Sequence, residues 1–259
     1  MTVEEGTPRE AATLVAIGAD KQGLAEYVGP SWDDDLAAYN LREAERRASL
    51  VGLYLRDTLT AVLQRLGIPE AATVDILAAG DSITVGTGST DGTGYRGWLP
   101  SILARQGVTP RFTVVAEGGR TMREMTPAIL AALPTAKPSI VILAFGTNDA
   151  AQPDLTDWAG RCGTLVDQIL ASSSTVRVVV VRPALSRATW LANGEAAVDA
   201  AVDQVVAARR AGGRVVSADL TAVPARMLSD GVHPFDSGYL LMAEVLAAAI
   251  APWLPKTPQ

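Results

Sequence analysis

From Thr73 onward, short apolar runs alternate with longer segments in which apolar residues recur every three or four positions. The runs VDILAAG (74–80), RFTVVA (111–116), SIVILAF (139–145), VRVVVVR (176–182) and RVVSA (214–218) are rich in Val and Ile and are bounded by Gly, Pro or Ser. Continuous apolar runs of this length predict parallel strands buried on both faces. Between and after them, helical periodicity covers residues 96–106, 122–133, 155–172, 192–211 and 237–254. Strand alternating with helix predicts βαβ units and a three-layer α/β/α domain over 73–259.

Residues 1–72 follow a different pattern. WDDDLAAYNLREAERRASLVGLYLRDTLTAVLQRLG (32–67) is helix-rich: acidic residues open it, and Gly67 and Pro69 close it. One unbroken helix there would approach ~50 Å at about 1.5 Å per residue, so two helices or a projecting one are expected. Its Leu/Tyr stripe suits packing on the α/β core or, alternatively, contact with another subunit or a partner.

Composition narrows the function classes. The chain has 259 residues, 48% hydrophobic and 19% charged, enough apolar material for a large core. With 22 basic and 28 acidic residues, a net charge of −6 and no Lys/Arg-rich run, neither nucleic acid nor an anionic membrane is an expected partner. The single cysteine, Cys162, excludes an internal disulfide and a cysteine-based metal cluster. The first twenty residues lack the positive charge and apolar length of a signal peptide, and no apolar stretch reaches spanning length, so a cytoplasmic location is the default expectation.

In open parallel sheets, ligands sit beyond the carboxyl ends of the strands, and four groups follow that rule. Ser82 comes just after the first run, as a candidate nucleophile or a helix N-cap. Gly118 and Gly119 follow the second, able to bring an amide close to a ligand. Asn148 follows the third, where its amide can donate to a developing oxyanion or cap a helix. Last, SDGVHP holds His233, the only histidine, three residues after Asp230. A serine hydroxyl needs a base near neutrality, and an imidazole needs a carboxylate on its other nitrogen. Together these groups suit acyl transfer. One histidine supplies too few ligands for zinc; magnesium on carboxylates alone is left open. The glycine-rich GTGSTDGTGY (86–95) lacks the GKS/GKT and GxGxxG spacings of nucleotide loops and is expected to be a mobile loop beside Ser82.

GDSIT (80–84), the glycine of EGGRT (117–121), GTND (146–149) and DGVHP (230–234), in that order, resemble the four blocks of the SGNH (GDSL) hydrolase superfamily. The resemblance implies a flavodoxin-like fold with a five-stranded parallel sheet in the order 2-1-3-4-5, and a serine esterase that needs no cofactor or metal. It implies Ser82 as nucleophile, His233 as general base and Asp230 as its orienting partner. The oxyanion hole would be the backbone N–H of Ser82, that of Gly119, and the Asn148 side chain. Gly119 is favoured over Gly118 because Arg120 and Thr121 complete a G-x-T pattern. Asp81 and Asp149 would position loops.

GDSIT followed by GYR (94–96) is partly similar to carbohydrate O-acetylesterases, although the His-Ser-Gly-Trp segment and long insert of that group are missing. Short-chain esters, with a carbohydrate acetyl ester as one case, are therefore the expected substrates. An acyltransferase and a thioesterase or lysophospholipase are the alternatives, and a non-catalytic module docking a partner or a second copy through the N-terminal helices is a third. Tyr95, Trp98 and Trp190 are candidate pocket walls, with ordinary packing as the competing role.

Overall fold

A computed structural model describes residues 72–152, 155–184, 186 and 191–255. The expected N-terminal helical extension lies outside these residues. The five strands are β1 (Ala72–Gly80), β2 (Val108–Ala116), β3 (Ile140–Ala144), β4 (Arg177–Arg182) and β5 (Val215–Asp219). All neighbours are parallel, in the order β2-β1-β3-β4-β5. The helices are α1 (Ser82–Val85), α2 (Tyr95–Ala104), α3 (Met122–Ala136), α4 (Trp158–Ser172), α5 (Ala192–Arg209) and α6 (Asp236–Ile250).

The continuous apolar runs are explained by what covers each face. Ile140 and Ile142 of β3 pack with Leu99 and Leu103 of α2 and with Tyr239, Met242 and Leu246 of α6. Val141 and Leu143, pointing the other way, pack with Met125 and Ile129 of α3, Leu165 of α4 and Val202 of α5. Alternate residues of one strand thus feed two cores, so the strand has no polar face.

The expected strand β2 departs from this rule. It begins earlier than the apolar run, at Val108, contains Pro110, and leaves Thr113 and Val114 exposed. Its edge position explains both features: it pairs with β1 alone, so a residue without an N–H is tolerated and fewer side chains are covered. The last helix ends at Ile250 instead of running on to 254, and a 3-10 turn containing Pro252 follows it.

Register brings the site together. Gly80, the last residue of β1, pairs with Ala116 on β2 and with Ala144 on β3. The segments leaving these three strands therefore start at one level of the sheet edge. Among the described residues, no helix is long and apolar enough to cross a membrane.

Candidate active site

Ser82 opens the single-turn helix α1, which is held at both ends. The Asp81 carboxylate accepts from the Ile83 N–H at 2.9 Å. At the other end, Arg96 donates from Nε to the Thr84 carbonyl at 2.9 Å and from Nη2 to the Val85 carbonyl at 3.0 Å. These contacts answer the unpaired donors and carbonyls that any helix end leaves.

His233 lies 151 positions away in sequence, yet its Nε2 is 2.8 Å from Ser82 Oγ. Its Nδ1 is 2.6 Å from Asp230 Oδ2. Asp230 Oδ1 also accepts the N–H groups of Val232 at 2.9 Å and His233 at 2.8 Å. Partial burial opposes the Asp230 charge, but the bonds from the imidazole and from these two N–H groups outweigh it and hold the carboxyl at about 2. An ionised carboxylate cannot donate, so Nδ1 carries the proton facing Asp230, and Nε2 of the neutral ring accepts the Ser82 hydroxyl. Ser229 fixes the backbone of His233, donating from N at 2.6 Å and from Oγ at 3.0 Å to the His233 carbonyl.

The second block forms a turn in which the Arg120 N–H reaches the Glu117 carbonyl at 3.4 Å and Gly119 adopts φ +77°. That left-handed conformation at the third position of a turn explains the glycine there. Gly118 lies against Ser82, since a Cβ on it would stand 3.7 Å from Ser82 Cβ. Neither glycine N–H, nor that of Ser82, donates to a described residue.

Asn148 follows β3 and donates from Nδ2 to the Arg120 carbonyl at 3.1 Å, which orients its amide and leaves a second N–H on the same nitrogen. The next residue, Asp149, is buried and accepts the Met122 N–H with both carboxylate oxygens, at 3.3 and 3.2 Å. It thereby ties the Asn148 segment to the start of α3. Burial raises the Asp149 pKa against the lowering effect of the Met122 N–H.

Asp81 is the most perturbed acid at the site. It is 1% exposed. Burial raises its pKa from the ordinary 3.8 to about 7; the Ile83 N–H and His233 oppose the rise and Asp149 adds to it.

Two of the expected pocket residues lie elsewhere. Tyr95 is 1% and Trp98 7% exposed, and both belong to the core between α2, α6 and the sheet. The Tyr95 hydroxyl sits 3.2 Å from Thr84 Oγ1 of α1. They are packing residues because α2 turns its aromatic face inward. Trp190 lies outside the described residues. The glycine-rich segment, expected to be mobile, is tied down at several points. Ser89 Oγ donates to the Gly86 carbonyl at 2.7 Å, Tyr239 Oη to the Thr87 carbonyl at 2.7 Å, and Thr90 to Asp236.

Sequence reasoning also passed over Arg96, Ser229 and Asp236. Arg96 stands inside GYR and Ser229 inside SDGVHP, but no spacing rule links any of the three to its partner. Among the described residues, no group of three or more His, Cys, Asp or Glu could hold a metal ion.

The model of the GDSL-like lipase/acylhydrolase family matches residues 78–241, which include every one of these groups. The chain belongs to that family. This GDSL-like acylhydrolase is accordingly an esterase-type enzyme acting on carboxylic esters. A search of the curated proteins returns no match.

Among solved structures, the GDSL-like chain is similar to a family 3 carbohydrate esterase of Clostridium thermocellum, at 23% identity and a TM-score of 0.59, covering 70% of this chain and 96% of that one. It is similar to a lipase/acylhydrolase from Enterococcus faecalis at 19% identity and a TM-score of 0.60, covering 73% and 100%. A variant of Axe2, an acetyl-xylooligosaccharide esterase from Geobacillus, aligns at 19% identity and a TM-score of 0.57, covering 73% and 100%. These likenesses establish the α/β/α fold.

Proposed function

We propose that this acylhydrolase cleaves short-chain carboxylic esters, acetyl esters of carbohydrates among them, through an acyl-enzyme on Ser82. The observation that carries the reading is the continuous chain from Ser82 Oγ to His233 Nε2, 2.8 Å, and from His233 Nδ1 to Asp230, 2.6 Å. Ser82 Oγ attacks the ester carbonyl carbon while its proton passes to Nε2. The carbonyl oxygen becomes an oxyanion that accepts from the Ser82 N–H, the Gly119 N–H and the second N–H of Asn148. The bond to the leaving alkoxide then breaks, and Nε2 returns the proton to it. In the second half, Nε2 takes a proton from water, the hydroxide attacks the acyl carbon, and Ser82 Oγ departs and recovers that proton. Asp230, held ionised, stabilises the imidazolium in both halves.

The acetyl preference draws support from two of the similar structures, which are described as a carbohydrate esterase and an acetyl-xylooligosaccharide esterase. It also draws on the GDSIT and GYR sequence. The test is a p-nitrophenyl ester series from two to twelve carbons, run beside acetylated sugars and acyl thioesters, with Ser82→Ala and His233→Ala as controls. The expected result is fastest turnover at two to four carbons, a burst of p-nitrophenol, and covalent capture of Ser82 by a fluorophosphonate. An optimum at eight carbons or beyond would reject the short-chain reading. Full activity of His233→Ala would reject the site assignment.

A further inference from the structure

The proposed base sits in a loop, the class of segment with the greatest positional freedom, and its ring must meet a serine 151 positions away. Something has to hold that loop at the right distance from Ser82. Asp230 and Ser229 grip the ring and carbonyl of His233. The glycine-rich loop, whose role the catalytic reading leaves unassigned, packs against the same residues.

That loop is a backbone support under the base. A Cβ placed on Gly88 would lie 2.6 Å from the Pro234 carbonyl oxygen, 3.2 Å from Ser229 Oγ and 3.3 Å from His233 Cβ. At φ +90° Gly88 also occupies the left-handed region, so glycine is required twice over. Two residues on, Thr90 donates its backbone N–H to Asp236 Oδ1 at 2.9 Å and its hydroxyl to Asp236 Oδ2 at 2.5 Å. Asp236 is the first residue of α6, three positions after His233, and is 3% exposed. A carboxyl group is expensive to bury, and here both of its oxygens are satisfied by one threonine. The bond therefore joins the glycine-rich loop to the start of α6, three residues after the proposed base.

We propose that Asp236 is a positioning residue for the esterase reaction: through Thr90 it holds the Gly88 backbone against His233 and Pro234 and so fixes the approach of His233 Nε2 to Ser82 Oγ. The proposal rests on the reading of His233 as the base. Neither Asp236 nor Thr90 touches the reacting atoms, so the expected defect is in the chemical step with substrate binding spared. A misplacement of 1 Å costs on the order of a hundredfold in rate. A slackened support is therefore expected to cost about tenfold.

The test uses the full chain with Thr90→Val, Thr90→Ser and Asp236→Ala, measuring kcat and KM on p-nitrophenyl acetate, the rate of fluorophosphonate capture of Ser82, and Tm. Thr90 is exposed, so its variants leave the core intact and keep the test decisive if Asp236→Ala fails to fold. The expected result is that Thr90→Val loses about tenfold in kcat and in capture rate with KM within about twofold, and that Thr90→Ser, which keeps the hydroxyl, recovers wild-type values. Wild-type kcat in Thr90→Val, with or without a lower Tm, overturns the proposal, because the contact would then serve stability alone. Equal losses in Thr90→Val and Thr90→Ser overturn it as well. His233→Ala is the separating control: if that variant keeps turnover, the site assignment itself fails, whereas an inactive His233→Ala beside a fully active Thr90→Val sinks only the positioning role.

Discussion

Asp81→Asn offers a sharp test of the electrostatics beside Ser82. Asparagine keeps an oxygen to accept the Ile83 N–H, so the cap on α1 survives while the ionisation disappears. In the folded chain Asp81 titrates at about 7, against an ordinary 3.8 when exposed, mainly because burial removes the solvation of its charge. The direction of the linkage follows from proton counts. Between these two values the native state binds more protons than the unfolded one, so stability falls as pH rises through the window. At about 1.4 kcal/mol for each tenfold change, the whole window is worth a few kcal/mol, and roughly half or more of it is lost between pH 5 and pH 8.

The assay is urea unfolding of wild type and Asp81→Asn at pH 5, 6, 7 and 8. Asp149, raised in the same direction, contributes to both proteins and largely cancels in the difference. Wild type is expected to lose stability relative to Asp81→Asn by roughly 2–3 kcal/mol across this range, with the steepest change on the acid side of pH 7. A difference constant to within about 0.5 kcal/mol would mean that Asp81 is ionised throughout, and would refute the argument from burial.

Other expected outcomes are simpler. Asp230→Asn leaves the imidazole without the carboxylate that fixes its tautomer, so kcat is expected to fall by about a thousandfold with the fold intact by circular dichroism; a loss under tenfold would remove Asp230 from the mechanism. Because Asp230 is held at about 2, it stays ionised through any practical assay range, and the acid limb of the pH–rate profile is expected to come from other groups. Tyr95→Phe removes the contact with Thr84 Oγ1 from a fully buried position and is expected to cost about 1 kcal/mol of stability with KM unchanged; a several-fold rise in KM would return Tyr95 to the substrate. Lys137 caps α3 at φ +42°, the one described non-glycine residue in the left-handed region, and Lys137→Gly is expected to stabilise by about 0.5–1 kcal/mol in urea midpoints.

The parts of the site legible in the sequence are those that depend on chain order. Ser82, the glycine pair, Asn148 and His233 each follow a recognisable strand or precede a recognisable helix, and parallel topology then brings them to one edge. The order β2-β1-β3-β4-β5 was available only through the family resemblance, since hydrophobic pattern says that strands are buried without saying which neighbours they have. That is why β2 read as a buried strand: VV in an edge strand looks the same as VV in a central one. For Tyr95 and Trp98 the pattern left pocket wall and packing both open for a related reason. An aromatic at the start of an amphipathic helix has one signature whether it faces the core or a ligand, and only the position of α6 decides between them. The Thr90–Asp236 bond spans 146 positions, and neither residue carries a local signal of its partner.

Four aspartates surround the site, and their surroundings give one residue type four different tasks. Asp230, part exposed and receiving three hydrogen bonds, is held ionised and serves the imidazole. Asp81, the residue before Ser82 and sealed from water, is pushed up to about 7 and caps the helix that Ser82 opens. Asp149 joins the asparagine segment to the segment after the glycine turn, and Asp236 joins the glycine-rich loop to the base. Strand register alone brings the segments after β1, β2 and β3 to one level, but catalytic geometry demands tenths of an ångström. In the proposed reaction the cross-links between loops supply that precision: one carboxylate brace, Asp149, follows Asn148 directly, and the other, Asp236, follows His233 by three residues.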